Sequence, residues 1–217
     1  MELDHVFILC DRGAPGAEAL LRLGVREGSG NTHPGQGTAC RRFFFANAYL
    51  ELLWVEDEAE AGSEPAKRTR LLDRWALRRA GACRFGVIAR LTVDEIDGPA
   101  PFPTWRYTPP YLPDGMAIGI AEGTLPSEPE IFYVDFQRSR ARAGQEPIDH
   151  AIPATTLQRV LISGPVPHDL SVASRALVAS GTVAFEEAPD YTLTLDFRSA
   201  PDASADLRPE LPLVLRW

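Results

Sequence analysis

The apolar residues of the chain come in short alternating runs broken by turns, with helical spacing in only a few places. The first run, LDHVFIL, alternates as a strand does, so Leu3, His5, Phe7 and Leu9 share one face and Asp4, Val6 and Ile8 the other. A histidine therefore sits among the larger apolar groups of the first strand. The turn DRGAPG follows, then a short helix from Pro15 to Leu23, where proline suits the opening position and Gly24 a left-handed cap. Val25 to Glu27 reads as a brief strand, and SGNTHPGQGTA as a loop rich in turn formers. RRFFFANAYLELLWV predicts two strands joined at residues 46–48, the second placing Tyr49, Glu51, Leu53 and Val55 on one face. The order of this first unit is strand, helix, short strand, strand, strand.

A charged linker, EDEAEAGSEPAKR, leads into the amphipathic helix TRLLDRWALRRAG, with Leu71, Leu72, Trp75 and Leu77 on its apolar side and Gly81 as its stop. The strands CRFGVIARL, TWRYTPP, GMAIGIAE and EIFYVDF then complete a second unit whose helix is moved to an earlier position. From near Ala154, TLQRVLISG, the helix DLSVASRALVASG, VAFEE and YTLTLDF repeat the first unit in outline. Overlaying the matching strands puts Arg159 at the place of His5 and Leu193 at the place of Glu51. The later copy keeps the scaffold and lacks both polar positions, which marks His5 and Glu51 as specialised. The terminal LPLVLRW reads as a strand or packed tail. The expected fold is α+β: paired βαβββ-type units forming a cupped mixed sheet over residues 1–147, with an additional partial βαββ-like module over 148–217 packed on it.

Composition narrows the partners. With 217 residues, 45% of them apolar and 24% charged, the chain has enough material for one large or two small domains. Its 22 basic against 30 acidic side chains, a formal charge of -8, argue against a nucleic-acid groove or an anionic membrane surface. Cys10, Cys40 and Cys83 have neither paired nor CxxC spacing and read as free thiols of a reducing compartment. No signal-like segment opens the chain and no apolar run approaches about 18 residues, so the expected location is the cytoplasm.

Candidate chemistry gathers in the first unit. Imidazole and carboxylate suit Zn, Ni, Fe or Mn, and the strand placement of His5 and Glu51 lends them weight as ligands that their spacing alone does not. The plain alternatives are a satisfied structural histidine and a Glu51 salt bridge to Arg41 or Arg42. His33, in GNTHPGQGTA, can orient a substrate oxygen, act as acid or base, complete a metal shell, or merely belong to a turn. Gln36 and Thr38 offer neutral hydrogen bonds. Of Arg41 and Arg42, only the one facing the cup is expected to meet an anionic substrate. Cys40 reads as a small packing residue. Trp105 and Tyr107, with Tyr111, can wall a cavity or serve as core and lid packing, and His150 and His168 carry little functional weight.

The stretches LDHVFIL, NTHPGQGTACRRFFFANAYLELLWV and FPTWRYTPPYLP together resemble the glyoxalase-like domain proteins of the vicinal oxygen chelate superfamily, through most of residues 3–137. The resemblance implies paired βαβββ units around a cup, often with a divalent metal that chelates vicinal oxygens of a substrate. It also implies a metal-binding histidine on the first strand and a glutamate on the fourth, places that His5 and Glu51 match. The second half departs from the pattern: overlaying CRFGVI on LDHVFI puts Phe85 where a histidine would recur, and EIFYVDF offers only Glu130 and Asp135 at its margins. The function expected is a divalent-metal-assisted enzyme, of isomerase, lyase or dioxygenase-like type, acting on a small oxygen-rich substrate. In it His5 and Glu51 are ligands, His33 is a third ligand or general base, and His33 and Glu51 are the catalytic candidates. The alternatives are a metal-free binding or sequestering protein using the same residues, or a structural homodimer without chemistry.

Overall fold

In the computed structural model, residues 1–92, 94–95, 98–134, 145–198 and 202–217 are described. The alternating runs of the first unit form β1 (Glu2–Leu9), β2 (Asn31–His33), β3 (Thr38–Phe44) and β4 (Tyr49–Val55), with α1 (Ala17–Leu23) after the first. Two short helices, α2 (Glu58–Ala61) and α3 (Leu71–Leu77), precede β5 (Phe85–Arg90), β6 (Thr104–Tyr107), β7 (Ile118–Ala121) and β8 (Glu130–Val134). These strands make one eight-stranded sheet in the order β2-β3-β4-β1-β5-β8-β7-β6. Within each unit the first and last strands run parallel, β1 with β4 and β5 with β8, and the units join through the antiparallel pair β1 and β5. The sheet curls into a half-barrel, its inner face lined by Phe7, Leu9, Leu53, Ile88, Ile120 and Phe132.

A second, five-stranded sheet in the order β10-β9-β11-β13-β12 is built from β9 (Arg159–Gly164), β10 (Val183–Glu187), β11 (Thr192–Asp196), β12 (Ser204–Asp206) and β13 (Leu213–Arg216), with α4 (Val172–Ala179) between the first two. Its Val160, Ile162, Leu193 and Leu213 share one core with Val6, Ile8, Leu50 and Val87 of the first sheet. The second sheet thus covers the outer face of the first and leaves the concave face open for a site.

Several expectations change. The loop after α1 contains β2, paired with β3 through a tight turn in which Gly35 and Gly37 take φ of 80° and 68°. Val25–Glu27 forms no strand, because the polar Asn31–His33 segment takes the place beside β3. The charged linker contains α2, whose first turn is capped by the Asp57 carboxylate accepting from Glu60 N. In α3, Leu71 is buried but Leu77 is half exposed, so the apolar side is narrower than its spacing predicts. The third segment is not a copy of the first unit: β9 and β11 run antiparallel, whereas β1 and β4 run parallel. There the helical crossover puts β10, rather than the last strand, parallel beside β9. The EIFYVDF strand is described as far as Val134, and Asp135 lies outside the described residues.

Candidate metal centre

The position of His5 depends on an irregularity in β1. Leu3 pairs with Ala89 and His5 with Ile88, which leaves Asp4 as an extra residue at a bulge. The simple alternation therefore fails at Leu3, which turns to the outer core. Asp4 comes beside its neighbour instead of facing away from it. Its Oδ1 lies 2.8 Å from His5 Nδ1, and its Oδ2 accepts from Arg90 at 3.0 Å. A carboxylate oxygen only accepts, so Nδ1 carries a proton and Nε2 is the atom turned to the cup. That Nε2 lies 3.6 Å from Glu51 Oε2, and the Tyr49 ring stacks on the imidazole at 4.1 Å between centroids.

Glu51 is buried on β4, directly across from Arg42 on β3. Its second oxygen, Oε1, lies 3.9 Å from His33 Nε2. His33 ends β2, and its carbonyl accepts from Gln36 N and Gly37 N, which closes the turn. Thr38, opposite it in register, brings Oγ1 to 2.9 Å from His33 Nδ1. Gln36 Nε2 donates to the same Oγ1 at 2.8 Å, and the Tyr111 hydroxyl donates to Gln36 Oε1 at 2.9 Å. A chain of hydrogen bonds thus fixes the second imidazole from behind, as Asp4 fixes the first. Two histidines point their Nε2 atoms at opposite oxygens of one carboxylate.

The electrostatics separate these groups. Burial works against a charged His5, but the hydrogen bond to Asp4, the close Glu51 carboxylate and the charges of both outweigh it and raise its pKa to about 9. Burial likewise opposes ionisation of Glu51, yet the close His5 imidazolium, the charge of His33 and the neighbouring Cys40 thiol hold it well below the usual carboxylate range. His33 goes the other way: burial lowers its pKa, the charge of Glu51 resists, and the charges of Arg42 and His5 lower it further. In the metal-free protein at neutral pH, His5 is the cation, Glu51 the anion and His33 the neutral base.

The site opens on a cavity of about 1270 Å³. Its far wall, from the second unit, is apolar and includes Ile88, Ile118, Ile120, Phe132 and Val134. The overlay that puts Phe85 in the place of a histidine is one residue out of phase. Phe85 packs in the outer core, and the inward neighbours on β5 are Gly86 and Ile88. The Phe7 ring occupies the space over Gly86, where a Cβ would meet it at 2.0 Å. Glu130 is fully buried against Arg74 and Arg70, so it holds α3 to the sheet rather than facing the cavity.

Among the arginines, Arg42 lines the cavity. It donates to Ser29 O at 2.7 Å and Ser29 Oγ at 2.8 Å, and among the described residues it has no carboxylate partner. Arg41 points outward to Glu27 and Glu18, which removes it from the substrate side. The Glu51–Arg41 and Glu51–Arg42 salt bridges weighed from sequence do not form. Tyr107 lines the cavity, and its hydroxyl is buried with no hydrogen-bond partner among the described residues. Trp105 packs behind it, ring to ring at 5.6 Å, under the Arg68 guanidinium. His150 is structural: its Nδ1 accepts from Arg26 N, and its Nε2 lies 2.9 Å from the Phe44 carbonyl.

Donor atoms of His33, Cys40 and Glu51 all lie within 4.8 Å of one another. Imidazole nitrogen, carboxylate oxygen and thiol sulfur are donors for a divalent transition ion, and the histidines are oriented from behind as metal ligands are. The residues present therefore fit an ion. Asp4, Cys40 and the hydrogen-bonding role of Tyr111 escape the sequence pattern. The adjacency of Asp4 and His5 carries a signal only once the bulge brings both to one side.

The fold has relatives. A crystal structure of a hypothetical protein from Staphylococcus aureus is similar over 99% of this chain and 98% of that one, with a TM-score of 0.54 and 11% sequence identity, a likeness that shows the fold alone. No curated protein matches the chain. No helix among the described residues is long and apolar enough to cross a membrane. Residues 3–178, which span both units of the cup and run on through β9 into α4, match the glyoxalase-like domain family, and the chain belongs to that family of the vicinal oxygen chelate superfamily.

Proposed function

We propose that the protein is a divalent-metal-assisted enzyme acting on a small oxygen-rich organic substrate, with His5, Glu51 and His33 around the ion. The observation that carries this reading is the pair of Nε2 atoms aimed at the two oxygens of Glu51, each imidazole tied from behind, by Asp4 and by Thr38. When bound, the ion (Zn, Ni, Fe or Mn) supplies Lewis acidity toward adjacent carbonyl or hydroxyl oxygens. The chain's own residues do the rest. Glu51 holds or accepts a proton beside the substrate, and His33, oriented by Gln36 and Thr38, does so if its Nε2 is left free of the ion. Arg42 offers positive charge to an anionic or carbonyl oxygen, and the unpartnered Tyr107 hydroxyl a hydrogen bond. Phe7 and Phe132 exclude water from the apolar side. Trp105 supports Tyr107 from behind.

Equilibrium dialysis of the chelator-treated protein against Zn²⁺ tests the reading. The wild type is expected to take up one ion per chain, and Glu51→Ala and His33→Ala to bind at least about tenfold more weakly with unchanged far-UV circular dichroism. No uptake by the wild type would overturn it. A second reading, metal-free binding or sequestration of a small molecule, is favoured by the mostly apolar second half of the cup.

The same proposal includes a cytoplasmic protein, in keeping with three buried free cysteines, and a homodimer joined along the edge strands β2 or β6. It also treats residues 1–147 as the paired-module domain and 148–217 as an accessory module.

A further inference from the structure

The inward face of β3 carries Thr38, Cys40 and Arg42 in alternation, opposite Val55, Leu53 and Glu51 of β4. Thr38 and Arg42 already have places in the site. Cys40 lies between them, buried, with its sulfur within 4.8 Å of a Glu51 carboxylate oxygen and of a His33 ring nitrogen. The other two cysteines have no such surroundings: the Cys10 thiol donates to the Ile8 carbonyl, and Cys83 sits in the outer core. Among the described residues, the polar groups that the second unit, from β5 to β8, brings to the cavity are Arg90, Tyr107 and Tyr111. None is an imidazole, carboxylate or thiol, so a further ligand of those kinds has to come from the first unit.

We propose that Cys40 is a ligand of the ion, its sulfur joining His33 and Glu51 in a nitrogen, oxygen and sulfur site held entirely by the first unit. This rests on the metal reading above and adds a donor to it. Three donors bound at about 2.0–2.3 Å from one ion lie on average no more than about 4 Å apart, so a trio already within 4.8 Å closes on an ion by shifts of about half an ångström or less. On binding, the S–H bond breaks, sulfur takes the ion in place of the proton, and the proton leaves to solvent. A thiolate also sets the choice of ion. It favours Zn²⁺, Co²⁺, Ni²⁺ and Fe²⁺ over Mg²⁺, Ca²⁺ and Mn²⁺.

Cobalt(II) added to the full chelator-treated chain is the probe. The wild type is expected to show visible d–d bands together with a near-ultraviolet sulfur-to-cobalt charge-transfer band. Cys40→Ser is expected to keep the visible bands, lose the charge-transfer band and bind cobalt about tenfold or more weakly, while Cys10→Ser keeps both features. Visible bands without charge transfer in the wild type, or a charge-transfer band that survives Cys40→Ser, would overturn the sulfur ligand and leave the metal reading standing. No visible bands at saturating cobalt would overturn both. If Cys40→Ser does not fold, X-ray absorption at the cobalt edge of the wild type decides. A sulfur shell near about 2.3 Å supports the proposal, and a shell of nitrogen and oxygen alone overturns it.

Discussion

His5 is held as a cation between two carboxylates, Asp4 and Glu51, while burial on every side makes that charge expensive to leave unpaired. The sign of the resulting pH dependence follows from its direction. A folded-state pKa of about 9, above the ordinary 6.5, means that the stabilisation is complete below pH 6.5, fades as pH rises, and is gone above about 9. Glu51, shifted down, reports the same pair from the acid side: its share is present above its ordinary pKa of 4.5 and is lost as pH falls toward about 2. Urea unfolding of the metal-free protein checks this. The stability gap between wild type and His5→Gln should be largest near pH 6 and shrink steadily to pH 10, and a gap that does not change with pH would contradict the pairing. His5 and Glu51 were legible in the sequence because alternation put both on inward faces. Asp4 was not, since one extra residue in a strand reverses every face assignment before it and leaves no mark in composition.

At the scale of elements, the strands with strong apolar alternation were readable and the short polar ones were not. β4 and β5 carry runs such as YLELLWV and FGVIAR, whereas β2 is only Asn-Thr-His and draws its pairing from the glycine turn that follows it. α3 shows how an element is fixed by charge rather than by its apolar side. Arg74 bonds Glu130 and also donates to the carbonyls of Cys83, Leu125, Pro126 and Glu128, and Arg70 reaches Glu130 at 2.9 Å. Removing Glu130 leaves Arg74 charged and buried without its counter-ion. Glu130→Ala is expected to destabilise the protein by about 3–5 kcal/mol in urea unfolding. Arg74→Met with Glu130→Leu is expected to recover only part of that loss, because it removes both charges together but leaves the four carbonyls without their donor.

In the whole molecule, the second sheet lies where the outer face of the cup would otherwise be bare. The core runs without a break from Ile8 and Leu52 of the first sheet to Ile162 and Leu195 of the second. Residues 1–147 and 148–217 are therefore expected to unfold together, in a single calorimetric transition, and a 1–147 fragment to expose Val6, Leu50 and Val87 and aggregate. Two separate transitions would contradict the shared core. The division of the cup follows from the same arrangement: among the described residues, the imidazole, carboxylate and thiol groups of the site come from the first unit, and the second contributes a mostly apolar wall with the phenols of Tyr107 and Tyr111.

That asymmetry makes metal content the most direct test of the central claim, since one unit has to hold the ion alone. Elemental analysis of the native protein, purified without chelator or affinity metal from cells grown in metal-replete medium, is expected to find one divalent transition ion per chain, and less than about a tenth of that in Glu51→Ala purified alongside. Equal and negligible metal in both proteins, with both folded, would contradict the metal centre and leave the cup as a metal-free binding site.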